Sequence, residues 1–226
     1  MKRLIILIMA ALLMGTFSLR AGQPASAETT ISQDPSELKL QRNTGSFVYI
    51  SGGPGLILTE VDMGNVTSGE PNFSGEVNVG FEWISKKKIG VGLMYNGYFT
   101  GVESTELSGI NIVRMHERWG LHYLAPQFVG RILLKSKKWS LRYALGIGMV
   151  VSREFVESEG KRVGINYDYG FGTNLSFGAE FLVTPRVGIT GGVKVFDASV
   201  DQRYYSESNS AGIVRVDLDF GISFHF

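Results

Sequence analysis

The closing stretch of the chain, Gly212–Phe226, reads GIVRVDLDFGISFHF and decides the fold class. Apolar residues occupy every second position from Val214 to Phe226. The positions between them include Arg215, Asp217 and Asp219. A period of two predicts a β-strand with one apolar and one polar face.

The same period recurs from residue 46 onward and predicts an all-β chain of eight strands. Each strand exceeds the five or six residues usual in a soluble sheet, and this length suits a tilted span of a bilayer. The predicted strands are Phe47–Leu58, Phe73–Ile84, Ile89–Gly101, Arg118–Leu134, Trp139–Ser152, Tyr169–Val183, Arg186–Val200 and Gly212–Phe226.

The connections between these strands alternate in length. Those at 85–88, 135–138 and 184–185 are tight turns, whereas those near 59–72, 102–117, 153–168 and 201–211 are long and polar. We therefore expect an antiparallel up-and-down barrel with short turns at one end and four long loops at the other. This asymmetry is typical of barrels in an outer membrane.

The two faces of the clearest strands differ in charge. One face carries no Asp, Glu, Lys or Arg, while the other collects charges and glycines. A charge facing lipid at mid-bilayer costs about 2–4 kcal/mol, which favours a lipid-facing apolar side. A soluble carrier with this face inside is the weaker alternative, because an eight-stranded barrel is too narrow for so many bulky side chains. Aromatic residues also predict a belt at each end, with Phe47, Trp83, Trp139, Phe181, Phe224 and Phe226 at one and Phe73, Phe99, Trp119, Tyr169 and Phe171 at the other.

The parity of strands 1 and 4 is ambiguous in the sequence. Strand 1 contains the cluster Gly52–Gly55. In strand 4 we favour an outward set that starts at Leu124 and includes Pro126. This choice turns Arg131 inward and requires a bulge between Leu121 and Leu124.

Composition narrows the class further. The 226 residues include 29 Gly and no Cys, with a mean hydropathy of +0.08, which excludes membrane helices, disulfide scaffolds and thiolate metal sites. Residues 1–27 have the basic start, apolar stretch and Ala25-Ser26-Ala27 site of a cleaved signal peptide. We expect a flexible periplasmic lead-in at 28–45 and the barrel at 46–226. Cleavage would change the net charge from +1 to −2, so no nucleic-acid partner is expected.

A set of charged residues is predicted to point into the lumen. Acids and bases nearly balance in this set, so ion pairing within a filled, non-conducting lumen is the economical arrangement. An ion-pair gate of small conductance is the alternative. The predicted lumen network consists of Glu76, Glu82, Arg131, Arg142, Glu180, Lys194, Arg215, Asp217 and Asp219.

The histidines give little support for chemistry. His116, Glu117 and His122 would at most bind a metal weakly at the outer rim. A lipid A deacylase would need a His-x-Ser pair, whereas this chain has the reversed order in Ser223 and His225. We therefore expect no catalytic, metal or cofactor site and no enzymatic activity.

With these features, residues 47–226 resemble the small eight-stranded outer-membrane β-barrels of the OmpA/OmpX-like superfamily. The resemblance implies an integral protein of a Gram-negative outer membrane with periplasmic termini and a structural or surface-interaction role: envelope integrity, adhesion or recognition through the external loops. A narrow channel, or less favourably a lipid-modifying enzyme, is the alternative. The implied partners are outer-membrane lipid and lipopolysaccharide, the barrel-assembly machinery, and an extracellular ligand or host surface. The implied signal to the assembly machinery consists of Phe220, Ile222, Phe224 and Phe226.

Overall fold

A computed structural model describes residues 44–59, 73–108, 111–134, 138–158, 161–204 and 207–226. The expected signal peptide and nearly all of the expected lead-in lie outside these ranges. Among the described residues, no helix has both the length and the hydropathy needed to cross a membrane. The strands are β1 (Gly45–Ile57), β2 (Phe73–Ile84), β3 (Ile89–Ser108), β4 (Asn111–Leu133), β5 (Trp139–Ser158), β6 (Lys161–Thr184), β7 (Val187–Tyr204) and β8 (Glu207–His225).

The eight strands form one closed barrel in which every strand pairs antiparallel with its neighbours in sequence. The last strand closes the barrel against the first, with Phe47 opposite His225 and Ile57 opposite Arg215. At the level of this pairing, closure leaves neither the first nor the last strand with an unpaired edge. The predicted fold of an eight-stranded antiparallel up-and-down barrel is confirmed.

The alternation read from the sequence corresponds to the two sides of the wall. Outward side chains such as Val91 and Ile147 are 61% and 62% exposed, whereas inward Glu82 and Arg215 are fully buried. Outward-facing Phe220, Ile222, Phe224 and Phe226 are likewise exposed. The period of two was therefore sufficient to assign the faces of these strands.

Strand β4 has the predicted parity without the predicted bulge. Leu124 and Pro126 point outward, and the pairing of β4 with β3 runs without a register shift. Because no residue is inserted, Trp119 and Leu121 point into the lumen together with Arg131. The expected bulge, and with it the place of Trp119 in an outward aromatic belt, was wrong.

Strand β1 corrects a second belt residue. Phe47 is buried, and its ring lies 4.0 Å below the guanidinium carbon of Arg131. The odd-numbered side chains of β1 face the lumen, so Phe47 points inward while Ile50 faces outward. The glycine-rich middle of this strand hid the alternation.

Three of the four predicted long loops are largely continued hairpins. Pairing of β3 with β4 runs to Ser108–Asn111, that of β5 with β6 to Ser158–Lys161, and that of β7 with β8 to Tyr204–Glu207. Backbone hydrogen bonds join antiparallel strands whatever the side-chain pattern, so pairing can continue where the alternation is lost. The sequence loses its alternation there although the strands go on, and the predicted strand ends were too early for this reason. The fourth connection, at 60–72, lies outside the described residues.

Candidate functional site

The lumen contains two layers of charged side chains and, above them, a group of apolar ones. The layer nearer the short turns, the basal charge layer, consists of Glu82, Arg131, Arg142 and Glu180. Glu82 is ion-paired with both arginines, at 3.4 Å from Arg131 Nη2 and in a shorter contact with Arg142. Arg131 also donates through Nη1 to Glu180 at 2.5 Å. These contacts cross the lumen from β2 through β4 and β5 to β6.

Glu180 is saturated with donors. Oε2 accepts from Arg131 and from the Ser140 hydroxyl at 3.0 Å. Oε1 contacts the hydroxyl of Ser223 and lies 2.9 Å from Nε2 of His225. A buried carboxylate with this many partners can remain charged without solvent.

The cluster of Ser223, His225 and Glu180 contains the residue types of a hydrolase triad but not its geometry. In a triad, one imidazole nitrogen faces the serine and the other faces the carboxylate. Here Nε2 of His225 faces both Ser223 at 3.4 Å and Glu180 at 2.9 Å, and the serine hydroxyl contacts the carboxylate directly. The serine therefore has no separate base in this arrangement. Ser223 and His225 instead serve as hydrogen-bond partners of Glu180 in the lumen.

The second layer, the central charge layer, contains Glu76, Lys194, Arg215, Asp217 and Asp219. Glu76 Oε2 contacts Lys194 and lies 3.5 Å from Arg215 Nη2. Asp217 lies 2.7 Å from Arg215 Nε and 3.6 Å from Lys194 Nζ. Strands β2, β7 and β8 are thereby joined across the lumen.

Two asparagines link the charged groups of the central charge layer. Asn78 donates to Glu76 at 3.1 Å and to Asp219 at 3.0 Å, and its carbonyl accepts from Lys194 at 2.7 Å. Asn96 donates to Glu76 at 2.7 Å and accepts from Arg215 at 2.7 Å. Asp219 thus joins the layer through Asn78. The sequence reading counted formal charges and missed these amides, although the same alternation places them inward.

The structure brings the nine predicted lumen residues into these two layers. Eight of them form ion pairs with one another, and Asp219 is held by an amide. The grouping into separate layers depends on strand stagger, which no local pattern in the sequence encodes. Ser223 and His225 contact Glu180 of the basal charge layer and were not in the predicted set.

Above the central charge layer the lumen is apolar rather than polar. We call this group the external plug; its members are Tyr98, Trp119, Leu121, Tyr123 and Phe196, all buried. Tyr123 and Phe196 meet edge to face at 5.0 Å, and Trp119 donates through Nε1 to Ser152 at 2.7 Å. The guanidinium carbon of Arg215 lies 4.3 Å from the centre of the Tyr98 ring. Charge and aromatic layers are therefore in direct contact.

A small cavity in the lumen is bordered by residues of both charge layers. This cavity has a volume of about 40 Å³ and lies beside Arg142 and Asp219. A water molecule needs roughly 10–15 Å³ of such volume, so this cavity can hold only a few waters. At this cavity the interior is occupied mainly by the side chains of the two charge layers.

The predicted rim metal site is only partly described. The side chains of His116 and Glu117 lie outside the described set. Nδ1 of His122 and the hydroxyl of Tyr95 share a hydrogen bond of 2.8 Å on the outer wall. Among the described residues, no three or more His, Asp or Glu side chains are grouped as a metal site would need.

Comparison with solved structures bears on the fold alone. Neisserial surface protein A is similar with a TM-score of 0.51 at 13% identity, covering 81% of this chain and 98% of that one. The attachment invasion locus protein Ail of Yersinia pestis has a TM-score of 0.43 at 14% identity, with 80% and 99% covered. Outer membrane protein OprG from Pseudomonas aeruginosa has a TM-score of 0.43 at 13% identity, with 82% and 98% covered. No family model and no curated protein sequence matches the chain. The fold is that of the small eight-stranded outer-membrane barrels, as the sequence resemblance indicated.

Proposed function

We propose that the chain is an integral outer-membrane barrel with a structural or surface-interaction role, whose filled lumen does not conduct. The observation that carries this proposal is the distribution of charge. Between the short turns and the beginning of the external hairpins, the described outward positions contain one charged residue, Asp197 of β7, whereas the inward charges are paired. Such a surface suits hydrocarbon outside and a sealed interior.

The exposed apolar band supports membrane insertion. It encircles the barrel and includes Phe171 at 72% exposure and Phe220 at 62%. Contiguous apolar surface on this scale is rare in soluble monomers. In a bilayer the same band is the favourable contact with lipid.

The orientation follows from the ends of the barrel. Gly45 and Phe226 lie at the short-turn end, where the amide of Phe226 donates to the carbonyl of Ser46 at 3.0 Å. In outer-membrane barrels the short turns face the periplasm. We therefore place both barrel termini in the periplasm and the β3–β4, β5–β6 and β7–β8 hairpins outside the cell.

The sealed lumen is tested by conductance. The purified full chain, inserted into planar bilayers, is expected to give no steady openings, because each charge layer spans the lumen. Insertion is verified by heat modifiability: unheated folded protein in SDS should migrate differently from boiled protein. Stable openings from protein that passes this test would contradict the sealed lumen and favour the narrow channel.

The surface role is tested by shortening the hairpins. Replacing residues 102–117 with a two-residue turn keeps the part of β3 and β4 that contacts the apolar band. We expect this variant to remain heat-modifiable while it loses cell-surface binding or adhesion that the parent confers. A second variant shortens 201–211 in the same way and tests the β7–β8 hairpin separately. If neither variant changes any surface phenotype, the interaction role is wrong.

We assign the chain no catalytic role. This assignment is supported by the contacts of His225, whose Nε2 faces both Ser223 and Glu180 and so leaves Ser223 without a separate base. Lipid analysis of membranes with and without the protein tests this. A change in acylation or head-group composition that depends on Ser223 would contradict it.

A further inference from the structure

A groove on the outer wall lies where the apolar band ends and the external hairpins begin. Its volume is about 490 Å³. We call it the rim groove; the outward residues that shape it are Phe99, Arg118, Gly120, His122, Arg153 and Phe155. Trp119 of the external plug also borders it, together with Ser74 and Thr100. The side chains of Arg118, His122 and Arg153 lie on the outer side of the wall.

Sheet register explains why the groove exists. Gly120 is flanked across the strands by Phe99 of β3 and Arg153 of β5. Gly120 has no side chain, so this row has a gap between two large neighbours. A methyl group at Gly120 would lie 3.6 Å from Nε2 of His122 and 3.7 Å from Phe99, so both groups border the gap. Nε2 of His122 thus faces the groove while Nδ1 is held by Tyr95.

The groove carries positive charge that is not neutralised by described neighbours. Neither Arg118 nor Arg153 has a carboxylate within ion-pair distance among the described side chains. Below Arg118 and Arg153, toward the short turns, the outward positions of β4 and β5 contain no Asp, Glu, Lys or Arg. An arginine pair at an otherwise apolar boundary suits a doubly or singly charged anion.

Arg153 is held in place for such a ligand. Its guanidinium carbon lies 3.8 Å from the centre of the Phe155 ring and 5.5 Å from that of Tyr167. Its Nε is buried and has no hydrogen-bond partner among the residues that the structure describes. The aromatic contacts limit the freedom of the side chain, so less entropy is lost when an anion binds.

The level of the groove indicates what kind of anion reaches it. Directly below it on the outer wall lie the exposed apolar side chains of Leu124, Met149 and Phe171. The apolar run of β5 extends from Trp139 to Val151, close to the length that a tilted span needs, and Arg153 is the next outward residue. The groove therefore lies at the height of lipid head groups, with room for acyl chains along the wall beneath it.

From these positions the geometry points to a binding site for the phosphate of a lipid head group, formed by Arg118 and Arg153 and bordered by Nε2 of His122. The acyl chains of the bound lipid lie on the apolar wall below. This inference rests on the proposed function, since it requires that the band faces lipid. It adds a fixed lipid partner on one side of the barrel.

The test uses the full chain isolated from membranes in a non-ionic detergent. Phosphatidic acid and diacylglycerol with identical acyl chains are added in equal amounts, and bound lipid is counted by native mass spectrometry. We expect the parent to prefer phosphatidic acid by at least about tenfold, as two charge-assisted hydrogen bonds allow. The R118Q/R153Q variant should lose most of this preference.

A matched control removes two cations at the other end of the barrel. The K138Q/R186Q variant changes exposed residues of the short turns and should keep the preference. If both double variants lose it equally, general basicity and not the groove explains the selectivity, and the proposal fails. An unchanged preference in R118Q/R153Q overturns it as well.

A filling variant tests the groove without changing charge. Gly120→Leu places its Cβ at ordinary contact distances and directs the rest of the side chain into the gap. We expect it to weaken retention of phosphatidic acid about as much as the arginine changes do; full retention would overturn the groove as the site. Displacement of the lipid by millimolar inorganic phosphate would show that the phosphate ion alone is the ligand and would overturn the lipid assignment. Heat modifiability of each variant separates these outcomes from failure of the barrel proposal itself.

Discussion

Replacing Glu82 by glutamine is the most direct perturbation of the lumen. Glutamine retains the size of the side chain but removes the charge and replaces one acceptor oxygen with an NH2 donor. The side chain of Glu82 is fully buried and faces the guanidinium groups of Arg131 and Arg142. In the variant, Glu180 is the only carboxylate left in the basal charge layer for two arginines.

The expected loss can be worked from one contact. Opposite unit charges 3.4 Å apart attract by about 5 kcal/mol at an effective dielectric constant of about 20. Part of this is recovered because a carboxylate no longer has to be desolvated. Measured costs of removing one partner from a buried pair are about 3–5 kcal/mol, so we expect a loss near the lower limit, about 3 kcal/mol.

The assay is reversible urea unfolding of the chain in lipid vesicles, followed by tryptophan fluorescence and by the mobility of unheated samples in SDS. Asp201→Asn serves as the control, because Asp201 is exposed and its charge should contribute less than about 1 kcal/mol. A second variant, E82Q/R142M, removes the unpaired cation and should recover about 1 kcal/mol or more of the loss.

The outcome that refutes this reasoning is specific. If E82Q loses no more stability than D201N, the basal charge layer does not hold the barrel together by charge. If E82Q is destabilised but E82Q/R142M is still less stable, the unpaired guanidinium of Arg142 is not the cause. In that case the loss would come from packing around position 82.

Three further predictions concern faces, packing and assembly. A variant with Trp119 as its sole tryptophan should show little fluorescence quenching by brominated lipids, because Trp119 faces the lumen. A variant with Trp83 alone should be strongly quenched, because Trp83 is 51% exposed on the outer wall. Equal quenching of the two variants would contradict the assigned faces. Gly80→Ala would place a methyl group against the Tyr49 ring inside the lumen and should cost about 1–3 kcal/mol in urea unfolding; an unchanged unfolding midpoint would show that the ring can move aside. Deleting Phe226 should lower the yield of folded barrel in the outer membrane, measured by fractionation, while refolding in detergent, measured on unheated gels, stays unchanged. A parallel loss in both measurements would show that Phe226 contributes to the stability of the barrel and not to its assembly.

Much of the barrel could be predicted from alternation alone. The faces of β2, β3, β5, β6 and β8 follow from a period of two, since lipid rejects charge at every outward position. Strand ends could not be predicted in the same way. Beyond the apolar band the sequence mixes polar and apolar residues without a period of two, yet the strands from β3 to β8 continue through it.

The sequence predicted which charged residues point into the lumen, but not which of them contact one another. Glu76 and Glu82 are inward by parity, yet nothing local assigns them to different layers. Stagger between neighbouring strands brings Glu82 opposite Arg142 and Glu76 opposite Lys194. The same stagger collects Tyr123 and Phe196 into the external plug, which a reading by charge and glycine content did not foresee.

By itself, the sequence determined which side of each regular strand faces outward and how many strands the barrel has. Those properties depend on the alternation of side chains along one strand, which is a local property of the chain. The tertiary structure alone decided which charges are paired, that Trp119 and Phe47 point inward, and that Arg118, His122 and Arg153 border one groove. These contacts join strands that are distant in sequence, and only the register of the closed barrel sets which of their side chains meet.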